Sequence, residues 1–113
     1  KFVFGHPQGR GCAVDSMIAG GSIVAGAEVH RSVLFSNVRV EPGSHIEQSL
    51  LLPRATVGKN CVIRKAILDE GCRIPDGMQI GVDAESDARL YFVSGGGVVV
   101  VTPEMLGQPH LVR

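Results

Sequence analysis

The stretch RSVLFSNVRVEPGSHIEQSLLLP, residues 31–53, begins a phrase and then begins it again. Arg31-Ser-Val-Leu-Phe returns seventeen residues later as Gln48-Ser-Leu-Leu-Leu, and seventeen after that as Lys65-Ala-Ile-Leu-Asp. Working outward, the aliphatic residues fall into columns at the same interval. Val40, Val57 and Ile74 form one, Val29, Ile46, Ile63 and Ile80 a second, and Val33, Leu50 and Ile67 a third. Within a cycle the first two columns stand six apart, the signature of hexapeptide repeats. Three such rungs, one of them a residue short, make the seventeen. Gly26, Gly43, Asn60 and Gly77 keep the same interval, each three residues before the second column. Gly and Asn enter left-handed backbone space at least cost, which assigns these four positions to corners.

A helix has no use for a spacing of six, which points in changing directions around a 3.6-residue turn. Stretches such as SNVRVEP and ATVGKNCVIRK, broken by Gly and Pro, read instead as short strands. The expected fold is all-β: a left-handed parallel β-helix of triangular section with a coil period of seventeen residues and aliphatic columns inside. The coils stack about 4.8 Å apart, so that each side of the prism pairs its backbone with the coils above and below. The pattern covers 15–81. Ser16 to Ser32 is sixteen rather than seventeen, marking a first coil that differs from the rest. Residues 1–14 are Gly-rich and read as a linker. Residues 82–113 read as a short α/β tail capping the last coil, whose open edge would otherwise invite aggregation. In that tail Asp83 caps a helix through AESDARLYF, Gly95-Gly-Gly is a loop, Val98–Val101 a strand, and Thr102-Pro103-Glu104 a helix start.

The bulk numbers narrow the function classes. A chain of 113 residues has room for one core. Eleven basic and eleven acidic residues leave no net charge, and one Tyr with four Phe offers few stacking surfaces, which argues against nucleic acid. No apolar run reaches the length of a membrane span, about 18 residues. Cys12, Cys61 and Cys72 contain no C-x-x-C pair and read as small buried hydrophobes in a reducing cytoplasm. A sequence opening on Lys1 without Met reads as a piece of a longer one.

The connecting words are more particular than the columns. DSMIAGGSIVAG (15–26), RSVLFSNVRV (31–40), SLLLPRATVGKN (49–60), LDEGCRIPDGMQIG (68–81), DAESDAR (83–89) and VVVVTPEML (98–106) together resemble the C-terminal domain of bacterial glucose-1-phosphate adenylyltransferases. The resemblance implies a parent enzyme that makes ADP-glucose and pyrophosphate from ATP and glucose 1-phosphate for glycogen synthesis, using Mg2+ and ATP in an N-terminal catalytic domain to which residues 1–14 would lead. It implies no catalytic residue, metal or cofactor in this segment. The β-helix would have a regulatory role, join a homotetramer, and help bind a small anionic effector such as a sugar phosphate or AMP. Candidate effector contacts are Arg64 and Lys65, matching paired basic residues of the family, and Arg89 of the D-A-R motif. Arg54 and Glu70 lie near positions where relatives meet nucleotide. Where relatives continue D-A-R-R-F-Y-R, this chain has Leu90-Tyr-Phe-Val93, which removes phosphate donors, each contributing about 1.5–3 kcal/mol.

Rival readings use the same fold. A hexapeptide acyltransferase would need a His base, with His30 and His45 as candidates. A zinc carbonic anhydrase would need three converging His, yet one coil on from His30 stands Glu47 and one on from His45 stands Val62, and His6 and His110 fit no such spacing. A free-standing interaction module needs no parent enzyme.

Overall fold

Short strands separated by turns fold into three sheets, one on each side of a triangular prism, parallel throughout except for one edge strand. The computed structural model describes residues 2–3 and 12–108, with side chains from residue 15 onward. Sheet I stacks β1 (Phe2–Val3), β4 (Ile23–Ala25), β7 (Arg39–Val40), β10 (Thr56–Val57) and β13 (Arg73–Ile74). Sheet II stacks β2 (Cys12–Val14), β5 (Glu28–His30), β8 (His45–Glu47), β11 (Val62–Arg64) and β14 (Gln79–Ile80). Sheet III stacks β3 (Met17–Ile18), β6 (Val33–Leu34), β9 (Leu50–Leu51) and β12 (Ala66–Leu68), then β16 (Val99–Val101) and β15 (Phe92–Val93). This is the hexapeptide-repeat β-helix that the columns predict, and register follows the seventeen-residue interval, with Val40 beside Val57 and Val57 beside Ile74.

Each coil turns three corners, and every one lies in left-handed space. Gly26, Gly43, Asn60 and Gly77 have φ of 63°, 81°, 57° and 77°. A second corner column is Asp15, Arg31, Gln48 and Lys65, with φ between 46° and 50°, and a third is Gly21, Asn37, Arg54 and Gly71. The repeated phrase therefore starts at a corner each time. Small residues follow the corners, because the side chain there points into the narrow angle between two sheets. Ser32 Oγ accepts the Ser49 N–H at 3.1 Å and donates to the His30 carbonyl at 2.8 Å, and Ser49 does the same for Ala66 and Glu47. Cys61 and Cys72 occupy equivalent positions after Asn60 and Gly71, both fully buried and free. The side chain of Cys12 lies outside the described residues.

Two of the expected columns are interior: Val40 and Val57 are fully buried and Ile74 nearly so, while Val29, Ile46, Ile63 and Ile80 are sealed completely. The third corrects the sequence reading. Leu34, Leu51 and Leu68 fill the core on sheet III, continued by Val101, whereas Val33, Leu50 and Ile67 face outward. Successive strand residues alternate faces, and with aliphatics on both faces the pattern does not reveal which one is inside.

The boundaries also shift. Residues 1–14 are more than a linker, since Phe2–Val3 pairs with β4 and Cys12–Val14 with β5, both parallel. The tail likewise re-enters the prism: β16 pairs parallel with β12 and buries Val99 and Val101. Helix α1 (Ala84–Leu90) is capped by Asp83, whose Oδ1 accepts the Glu85 N–H at 3.0 Å, and it stops at Leu90 because Phe92–Val93 turns back as a strand antiparallel to β16. A 3-10 turn covers Glu104–Leu106, with Thr102 Oγ1 accepting the Met105 N–H at 3.3 Å.

Candidate functional site

The outward faces of the three sheets differ in chemistry. Sheet II presents Glu28, His30, His45, Glu47, Arg64 and Gln79 to solvent, whereas sheet III presents an aliphatic ladder. Register aligns Met17, Val33, Leu50, Ile67 and Val100 across five neighbouring strands. Met17 is 72% exposed and Leu50 36%, and at the Met17 end an open cavity of about 440 Å³ is lined by Met17, Ile18, Ala19, Val33, Leu34 and Phe35. Large exposed apolar patches of this general kind are a feature that interaction surfaces share. The sequence contained this signal in Val33, Leu50 and Ile67, once their direction is known.

The basic candidates are held separately, each with a partner inside the chain. Arg64 ends β11, its Nε 4.0 Å from Glu47 Oε2. Lys65 follows at a left-handed corner, φ 46°, and its Nζ donates to the Gly96 carbonyl at 3.2 Å, latching the Gly95–Gly97 loop to the coil. Arg89 lies in the last turn of α1, where a cation suits the helix dipole, and its Nη2 donates to Ser86 Oγ at 3.4 Å. Arg54, at another left-handed corner, pairs with Glu70 of the next coil. Exposed contacts of this kind are each worth about 0–1 kcal/mol.

Two carboxylates stand out that the sequence reading passed over. Glu47 gathers Arg31 at 2.8 Å, His45 at 3.7 Å and Arg64 at 4.0 Å, and the Arg31 hydrogen bond holds its carboxyl below the usual range. Its place beside His30 is readable from the seventeen-residue offset. Asp87, read only as part of the D-A-R motif, is buried against the last coil, where its Oδ2 accepts the Gly81 N–H at 3.0 Å. Burial pushes its carboxyl upward. The Gly-rich stretch Gly20–Gly26 supplies corners at Gly21 and Gly26, φ 79° and 63°, rather than a phosphate loop. Among the described residues no helix is long and apolar enough to cross a membrane.

Comparison with known proteins agrees with this geometry. The chain is 54% identical over 110 residues to a glucose-1-phosphate adenylyltransferase of Nitrosococcus oceani, covering 97% of this chain and 26% of that protein. It is 58% identical over 106 residues to one of Albidiferax ferrireducens, covering 94% of this chain and 25% of that protein. With one of Methylobacillus flagellatus the identity is 53% over 114 residues, covering 100% of this chain and 27% of that protein. The chain thus spans about a quarter of the length of the curated relatives it matches. A family profile described as GlmU-like, C-terminal hexapeptide matches residues 1–101, and the chain belongs to that family.

Proposed function

We propose that the chain is the regulatory and assembly portion of a glucose-1-phosphate adenylyltransferase, acting beside a catalytic portion that makes ADP-glucose and pyrophosphate from ATP and glucose 1-phosphate. The observation that carries this reading is identity of 53–58% to proteins of that name, confined to about a quarter of their length. ATP and Mg2+ belong to the catalytic portion, and Gly21 and Gly26 of this segment are occupied in corners. The outward ladder on sheet III supports docking of that portion, because a rigid apolar side of a prism can hold a second surface at a fixed distance. Arg64, Lys65 and Arg89 supply cations for a small anionic effector bound near the junction, whose differential contacts would bias the relative pose of the two parts. A homotetramer in the cytoplasm is the expected setting.

The test is ADP-glucose synthesis by the longer protein with and without this segment, titrated with fructose 1,6-bisphosphate, fructose 6-phosphate, pyruvate and AMP, with sedimentation alongside. Loss of effector response or of tetramers with basal synthesis retained supports the proposal. Unchanged regulation and assembly in the truncated enzyme sinks it.

A further inference from the structure

A cluster of donor side chains on the outward face of sheet II takes no part in the reading above. Glu28 and His30 share one face of β5, and His45 and Glu47 share the same face of β8. Register sets Glu28 beside His45 and His30 beside Glu47, which leaves the two histidines on a diagonal between neighbouring coils. Their rings stack with centroids 5.3 Å apart and planes inclined by 27°. The Glu28 carboxylate reaches both, Oε2 lying 3.3 Å from His45 Nδ1 and Oε1 4.0 Å from His30 Nε2. One ligating atom from each of Glu28, His30 and His45 lies within 4.8 Å of the others.

We propose that Glu28, His30 and His45 form a binding site for a divalent transition metal of the zinc type. Two imidazole nitrogens and one carboxylate oxygen are the donors that zinc and its neighbours accept, whereas Mg2+ and Ca2+ prefer oxygen throughout. Tetrahedral bonds of about 2.0–2.1 Å place donors roughly 3.4 Å apart, so the cluster closes around an ion by movements of little more than 1 Å. Side-chain torsions supply that, since the side chains of His30, His45 and Glu28 are 29%, 32% and 59% exposed. The backbone beneath them is already fixed by the β5–β8 ladder, and the donors come from a rigid platform.

A second layer strengthens the case. With His45 Nδ1 turned toward Glu28, its Nε2 stands 3.7 Å from Glu47 Oε2, the placement in which a carboxylate orients a metal-bound imidazole and fixes its tautomer. Arg31 Nη2 in turn donates to Glu47 Oε1 at 2.8 Å and holds that carboxylate in place. Three protein ligands leave a fourth coordination position open to water. A bound ion would tie two successive coils together on the face outside Val29 and Ile46. The histidine column that the sequence lacks is unnecessary, because a diagonal pair on neighbouring strands brings two imidazoles together as well. This site stands or falls independently of the adenylyltransferase reading.

The test uses the whole chain, stripped with a chelator and titrated calorimetrically with Zn2+, and separately with Co2+ to read visible absorption. One Zn2+ per chain is expected, with the strong visible bands of four-coordinate Co2+. His30→Ala and His45→Ala should each weaken binding by at least about tenfold, and Glu28→Gln should weaken it as well. Joint replacement of His6 and His110 by Ala should leave it unchanged. Circular dichroism checks folding, and His30→Gln or His45→Gln replaces any alanine variant that does not fold. Absence of saturable binding, binding that survives both histidine substitutions, or loss of binding in the His6/His110 variant would overturn the assignment.

Discussion

Leu50 and Leu51 are neighbours on one strand with the same side chain, so replacing each by Ala separates the inner face of sheet III from the outer. Leu51 is fully buried, and register places it between Leu34 and Leu68 of the adjoining coils. Those neighbours cannot collapse into the gap, because inter-coil hydrogen bonds such as Phe35 N–H to the Leu51 carbonyl at 2.9 Å pin the backbones on both sides. The loss should therefore be well inside the range of about 2–5 kcal/mol for buried Leu→Ala, near about 3 kcal/mol. An unfolding entropy of about 2.1 cal/mol/K per residue gives roughly 0.24 kcal/mol/K for a chain of 113 residues, so Tm should fall by about 13 °C. Leu50 is 36% exposed and gives up cross-strand contact with Val33 and Ile67 worth about 0.5–1 kcal/mol, or about 2–4 °C. Thermal melts followed by circular dichroism on the two variants decide it. Equal shifts, or a larger shift for Leu50→Ala, would refute the inward assignment of the Leu34–Leu51–Leu68 column.

Gly77→Val should lower stability by about 1–3 kcal/mol through left-handed strain alone, since a Cβ there meets nothing within 4 Å; Gly95→Val, with equal space and no such φ, should change Tm little. Gly97→Val, at φ 84°, should cost about as much as Gly77→Val. In a Cys12→Ser background, Cys61 and Cys72 should resist alkylation at pH 8 in the folded protein and react on unfolding: both are buried, and burial pushes the Cys72 thiol up to about 12. Asp87, with its folded carboxyl raised by burial, binds a proton more readily in the folded chain, so its contribution to stability falls as pH rises from 3.8 through the raised value. Asp87→Asn keeps an acceptor for the Gly81 N–H. Melts between pH 4 and 7 should show wild type gaining on the variant as pH falls, and a difference independent of pH would exclude this linkage.

What the sequence made legible depended on whether a residue type betrays its backbone. Gly26, Gly43, Asn60 and Gly77 announced one corner because Gly and Asn suit left-handed φ. The other corners are occupied in part by Arg31, Gln48, Lys65 and Arg54, which mark nothing by type, although a non-Gly residue in that region costs on the order of 1–2 kcal/mol. The compensation comes from the neighbouring coil. Gln48 N–H donates to the His30 carbonyl, Lys65 N–H to Glu47 and Arg54 N–H to Ser36, each at 3.0 Å, just as Gly43 N–H donates to Gly26 at 2.9 Å. A bond shared between coils is invisible to any local reading of the chain, and so is the return of Val99–Val101 to sheet III after a helix and an edge strand. The cluster at Glu28, His30 and His45 was half legible: Glu28 and His45 stand one period apart, whereas the diagonal from His30 to His45 shows only when neighbouring coils are laid side by side. In a stacked β-helix, chemistry lies along diagonals between coils, and a sequence is read most surely by folding its own period into a grid before asking which side chains meet.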